Sequence, residues 1–180
     1  GELTKTVELG GEKGAVYGLL GYAYLSLGRP LPAEVAYSKA LLFEPDKLEW
    51  KAGYAESLRL QNKDRESIAA FGELIRQEPE ETKYWIGQAY SFTSLGDNRK
   101  AAQNYELVRR MGKADTQVLN WLGTFYINER MFDQARTAYV EAFVSDPRRD
   151  ADGLLQSAEA LLVYGSTSEA EILLSSVRSE

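Results

Sequence analysis

The densest cluster of groups able to do chemistry is Glu78–Pro79–Glu80–Glu81. Paired carboxylates perform general acid–base work or glycoside cleavage when two of them face each other across a substrate. This cluster instead precedes an amphipathic segment, where acidic side chains favour the positive end of a helix dipole. It reads as solvated charge. Asp133, Glu141 and Asp146 are spread over a later segment and its end, and read as surface. The chain has no histidine and no cysteine. That removes the commonest general base, Ser-His-Asp and Cys-His nucleophiles, disulfides and the usual zinc ligands. Gly18 and Gly21 form a GxxG pair inside a helical pattern, where glycine serves close packing, and no GxxxxGK[ST] phosphate loop occurs. The expectation is a protein that is not an enzyme and carries no cofactor or metal.

Charge narrows the partners. The net charge is −6, and the Arg148–Arg149 doublet sits beside Asp146 and Asp150. A nucleic-acid binder needs a concentrated basic footprint to displace counterions, so nucleic acid is not an expected partner. No apolar run approaches the roughly 18 residues of a membrane span. The opening GELTKTVELGG lacks the apolar core of a signal peptide. Lack of cysteine suits reducing and oxidising compartments alike, so bacterial cytoplasm and envelope both stay open. Hydrophobic residues make up 44%, enough for a packed core. The 11 Tyr and 3 Trp exceed what a minimal core needs, which points to rings serving a surface.

The elements that position these residues recur every 34 positions. Gly21, Ala55, Ala89 and Gly123 fall at that interval, as do Tyr37, Phe71, Tyr105 and Tyr139. Further columns are Ala33, Ser67, Ala101 and Ala135, and Tyr24, Leu58, Phe92 and Tyr126. Pro45, Pro79 and Pro147 follow, with Lys113 in the remaining slot. A less regular unit continues one residue out of phase through Ala158, Leu161, Ala170, Leu174 and Val177. Each unit holds two amphipathic segments, such as Val16, Tyr17, Leu20, Tyr24 and Leu27, with apolar residues three and four apart. Gly28, Asn62, Gly96, Arg130 and Gly165 follow the first segments, and all but the arginine suit a left-handed helix end. Pro32 suits the first turn of a helix. The later prolines stop the second helix. The small residues at Gly21, Ala55, Ala89 and Gly123 let paired helices approach.

The pattern W-x2-L-G-x2-Y, then A-x3-F, then P, in 34 residues is that of the tetratricopeptide repeat. The first unit reads Tyr17, Leu20, Gly21, Tyr24, Ala33, Tyr37, Pro45, and the fourth Leu119, Leu122, Gly123, Tyr126, Ala135, Tyr139, Pro147. The third supplies Trp85, Ala89, Phe92, Ala101 and Tyr105, while the second places Lys51 in the Trp slot with Trp50 beside it. The chain resembles this family over about residues 14–178. The resemblance implies an all-α fold, a right-handed superhelix of antiparallel helix pairs. Its units are 14–47, 48–81, 82–115, 116–149 and 151–178, after an N-terminal segment 1–13. Leu3 and Val7 before Gly10–Gly11 read as the end of a preceding helix. The last helix, Glu169 to Val177, carries Ile172, Leu173 and Leu174, apolar for a solvent cap. Both ends therefore read as parts of a longer array.

The resemblance also implies that first helices line a concave face on which a partner protein or extended peptide lies. Carried onto this sequence, the expected contacts are Tyr22, Leu25, Glu56, Arg59, Lys83, Ile86, Tyr90, Asn120, Thr124 and Asn128. The rings and aliphatics supply anchors. The asparagines, mediocre helix formers, supply hydrogen bonds to a backbone. Relatives that grip acidic C-terminal tails use a Lys- and Asn-rich clamp. Here Gly18, Tyr22, Gly53 and Gly87 occupy clamp slots and only Lys83 fits, so weak binding to EEVD-ending peptides is expected. The alternative function is a structural spacer, or self-association through the array ends and the apolar C-terminal unit.

Overall fold

The turn residues after each first helix all adopt left-handed backbone: φ is 66° at Gly28, 57° at Asn62, 78° at Gly96, 58° at Arg130 and 80° at Gly165. The next N–H then reaches back to one repeat column: Arg29 to Tyr24 O at 2.9 Å, Lys63 to Leu58 O at 3.1 Å, Asp97 to Phe92 O at 2.9 Å and Met131 to Tyr126 O at 2.8 Å. Carbonyls that a helix end leaves bare are thereby satisfied. Arg130 takes this conformation against its Cβ, at a cost of about 1–2 kcal/mol. Where Lys113 replaces the proline of the repeat, Gly112 ends the helix instead (φ 68°), and Lys113 N–H bonds to Val108 O at 3.2 Å.

The computed structural model describes residues 2–145 and 151–175. Among them the helices are α1 (Glu2–Ser26), α2 (Pro30–Phe43), α3 (Leu48–Arg59), α4 (Asp64–Gln77), α5 (Thr82–Ser94), α6 (Asn98–Arg110), α7 (Thr116–Asn128), α8 (Phe132–Ser145), α9 (Ala151–Val163) and α10 (Thr167–Ser175). The fold is all-α, of the helical-repeat class that the sequence resembles. Among the described residues, no helix is long and apolar enough to cross a membrane. The expected helix end at Gly10–Gly11 is not there: α1 runs through both glycines. Each costs a helix about 1 kcal/mol relative to alanine, too little to end one without a left-handed turn. Val177, Asp146 and Arg148–Arg149 lie outside the described residues.

The chain divides into two units, Gly1–Ala101 and Ala102–Glu180. In the first, helices α1 to α5 pack in chain order, and α3 also touches α1 and α5. Rings of neighbouring helices seat on glycines of first helices. A Cβ on Gly21 would lie 2.9 Å from the Tyr37 ring, and one on Gly53 only 2.1 Å from it. Gly87 receives Phe71 at 2.4 Å and Gly18 receives Trp50 at 2.5 Å. The GxxG pair thus serves packing. Buried Ser91 donates to buried Ser67 at 3.0 Å, and Ser67 to Ala55 O at 3.3 Å, which satisfies both hydroxyls where Ser67 interrupts an alanine column.

In the second unit α7, α8, α9 and α10 pack in chain order, with α7 also on α9 and α8 on α10. Ile127, Ala135, Tyr139, Leu154, Ala158, Leu161, Ala170 and Leu173 form its core. Arg109 forks onto Glu141 with two bonds of 2.7 Å. Glu106 accepts from Arg109 at 3.3 Å and from the Tyr126 hydroxyl at 3.0 Å. Glu141, expected as plain surface, is therefore half of a bidentate pair.

Candidate partner-binding face

Within the first unit the first helices α1, α3 and α5 neighbour one another, so their outward positions share a face. Three expected residues come together there. Glu56 accepts from Arg59 at 2.8 and 2.6 Å, and the Arg59 guanidinium lies 5.3 Å from the centre of the Tyr90 ring. The planar cation is held by its carboxylate and stacked on a ring, an arrangement that fixes both side chains. Tyr90 is half-buried, whereas Tyr22 is 65% exposed. Tyr22 is thus the ring most open to a partner, and Tyr90 a floor for Arg59. Leu25 and Ile86 are half-buried.

Lys83 faces a different neighbourhood. Its ammonium pairs with Glu81 at 2.7 Å and stands 5.0 Å from the Tyr84 ring. The hydrogen bond to Glu81 raises its pKa above the usual lysine range, although partial burial opposes this. It borders a cavity of about 570 Å³ between the starts of α3 and α5, lined by Asp46, Lys47, Glu49, Glu78, Glu81 and Lys83 with Leu48, Ala52 and Tyr84. Charge there is matched locally: Lys47 with Glu49 at 3.1 Å, Lys51 with Asp46 at 3.7 Å, and the Tyr84 hydroxyl on Glu78 at 3.3 Å. Glu78 and Glu81 of the carboxylate cluster are built into this network.

In the second unit the face is made by α7 and α9. Asn120, Thr124 and Asn128 are all exposed. Thr124 donates to Asn120 O at 3.1 Å and shares a 3.3 Å contact with the Tyr139 hydroxyl. Asn128 Oδ1 accepts from the Tyr164 hydroxyl at 3.1 Å. Burial pushes the Tyr139 phenol above the ordinary tyrosine pKa, with the Thr124 contact opposing.

Four residues escaped the sequence reading. Gly53 and Gly87 looked like vacant clamp slots, but they seat the Tyr37 and Phe71 rings. Trp121, one repeat after Gly87, lies 4.8 Å from Tyr105 and stacks on Phe125 at 5.8 Å. Gly153 borders a cavity of about 30 Å³ beside Tyr139. The signal was present, because Gly53, Gly87 and Trp121 share one slot of the repeat and face the ring column of the preceding second helix.

The sequence profile of the tetratricopeptide repeat matches residues 14–47. No curated protein sequence matches the chain. Solved structures do. MamA, residues 41 to the end, from Desulfovibrio magneticus RS-1 is similar at TM-score 0.77 and 15% identity, over 93% of this chain and 94% of that one. A tetratricopeptide repeat protein from Parabacteroides merdae ATCC 43184 gives TM-score 0.77 and 17% identity over 94% of this chain and 69% of that one. YrrB, described as a TPR protein with an unusual peptide-binding site, gives 0.73 and 19% over 96% and 88%. At such identities the likeness shows the fold.

Proposed function

We propose that the chain, whose residues 14–47 match the tetratricopeptide repeat and whose fold is similar to that of solved proteins of this kind, is a non-catalytic scaffold holding a partner protein or extended peptide on the faces of its first helices. The observation that carries this reading is the state of those faces. They expose a large ring at Tyr22 and polar amides at Asn120 and Asn128, while their charges are tied to one another. A surface of rings and amides recognises backbone and apolar side chains rather than net charge. Glu56 neutralises Arg59, and Lys83 is held by Glu81, so an acidic tail finds no free cation among these residues. Peptide binding by YrrB, a protein of similar fold, supports the same reading.

The test is a paired capture from the source organism's lysate with wild-type bait and a Tyr90→Ala/Asn120→Ala bait of equal helicity. A partner held by the first and lost from the second supports the reading. Identical capture by both, or none by either, overturns it. Titration with an EEVD-ending peptide is expected to show no micromolar binding.

A second reading, self-association or spacing through the ends, is favoured by exposed apolar side chains. Leu19 (64%), Leu31 (59%) and Val35 are open on the first pair, as are Leu162, Ile172 and Leu174 on the last. Open apolar area of this kind draws a second surface. Light scattering across concentrations separates the two readings: a monomer at every concentration removes the second.

A further inference from the structure

A slot of the repeat that changes identity explains the cavity beside Tyr139. The third position of successive first helices holds Trp50, Tyr84, Val118 and then Gly153. In the first unit Trp50 fills that place, its ring 6.3 Å from Tyr37. Tyr139 occupies the column of Tyr37, but Gly153 supplies no side chain opposite it. The space left is about 30 Å³, lined by Thr116, Asn120, Tyr139, Phe143, Gly153 and Ser157 among others. That is room for one or two waters or for a small side chain of two or three heavy atoms.

Its chemistry is mixed. Phe143 and Leu154 supply apolar wall. Ser157 Oγ donates to Gly153 O at 2.8 Å, so its proton is engaged and its lone pairs can accept. The exposed Asn120 carboxamide has no hydrogen-bond partner among the described residues, and it stands at the rim with a donor and an acceptor to offer.

We propose that this cavity is a side-chain subsite for a serine or threonine of an extended partner segment lying across α7 and α9, with Asn120 bonding the segment's backbone alongside. The inference rests on the partner-binding reading above and adds the residue class recognised. A hydroxymethyl group fits the volume and donates to Ser157 Oγ; the methyl of threonine meets Phe143 and Leu154. A glycine leaves the space to water, and a leucine exceeds it.

The probe is a phage-displayed library of random dodecapeptides selected on the full chain, with enriched peptides resynthesised and titrated by fluorescence anisotropy. The expected result is one peptide position restricted to Ser or Thr. Changing that residue to Leu weakens binding by roughly tenfold or more. On the protein, Gly153→Ala adds a methyl group, on a helix-favouring residue, at the wall of the cavity. It is expected to weaken the Ser peptide by a similar factor while leaving the Ser→Gly peptide unchanged. Peptides that lose affinity to Asn120→Ala but are indifferent to Gly153→Ala would overturn the subsite and leave the face reading standing, the cavity then holding water only. Failure to enrich any peptide overturns both.

Discussion

Tyr37 and Tyr139 occupy the same column of the repeat, one in each unit, and their surroundings differ. Tyr37 is enclosed: Gly21 and Gly53 press against its ring and Trp50 stands beside it. Tyr139 presses on Gly123, where an added Cβ would come within 2.3 Å, but it borders a small void where Gly153 replaces the bulky residue. Both rings are nearly fully buried, at 3% and 5% exposure. Burial alone therefore does not say how tightly a ring is held. The number of close neighbours does, since each adds a small dispersion gain that a gap forfeits. The first unit closes the space around this ring; the second leaves a small void beside it.

The largest effect that tests this contrast is truncation of the two rings. Tyr37→Ala is expected to cost about 4 kcal/mol, in the range of buried aromatic deletions, and Tyr139→Ala about 1 kcal/mol less because fewer contacts are lost. Urea unfolding followed by circular dichroism measures both. Equal losses, or the reverse order, would break the comparison.

The next test predicts opposite signs for the same substitution. Gly53→Ala puts a Cβ into the Tyr37 ring, and overpacking of that kind costs about 1–3 kcal/mol. Gly153→Ala adds a methyl group within α9 at a residue that borders the void, and is expected to stabilise by about 0.5–1 kcal/mol, since alanine is the better helix former. Thermal melts of the two variants suffice. If both destabilise, the void at Gly153 is not available to a side chain.

The left-handed turns allow a third, smaller contrast. Arg130→Gly removes the steric penalty of a Cβ at φ 58° and is expected to raise stability by about 1 kcal/mol. Gly96→Ala adds that penalty at φ 78°, with nothing within 4 Å of the new Cβ, and is expected to lower stability by a similar amount. A melting temperature that moves the same way in both would deny that backbone strain is the cause.

Much of the fold was legible because it repeats. The columns at Gly21, Tyr37 and Tyr24 each reported one physical demand: a close approach, a buried ring, a carbonyl at a helix end. Four units voiced each demand, so chance agreement was small. The turn at Arg130 was legible from its neighbours in phase although its own residue type argued against it. What stayed hidden were pairings between units of the repeat. Gly53 and Gly87 looked empty because their occupant is a ring 16 residues earlier in the chain. Likewise, Arg59 looked like a free groove cation until Glu56 and Tyr90 were seen to hold it. Periodicity reveals which positions are equivalent; it does not reveal what each equivalent position touches.

The smallest effect concerns acid sensitivity in the first unit. The Glu34 carboxylate is shielded from solvent, which by itself raises its pKa, but hydrogen bonds from Lys63 at 2.6 Å and Gln61 at 2.7 Å outweigh that and hold it below the usual range. A folded pKa below the unfolded value, about 4.3 for glutamate, means that the unfolded chain binds more protons between the two. The stabilisation is therefore complete above the unfolded value and disappears as pH falls through the folded one. Glu169 in the second unit also has a lowered pKa, through bonds from Ser166 and Ser168 in its own helix turn. That is a local arrangement that melts with a single turn, whereas Glu34 joins α2 to residues beyond α3. Glu34→Gln is expected to lower the melting temperature at pH 7, by a deficit that shrinks as pH falls below the unfolded glutamate value and through the folded one, while Glu169→Gln has a smaller effect throughout. A Glu34→Gln deficit that does not shrink as pH falls would mean that the side chain stabilises through packing rather than through its charge.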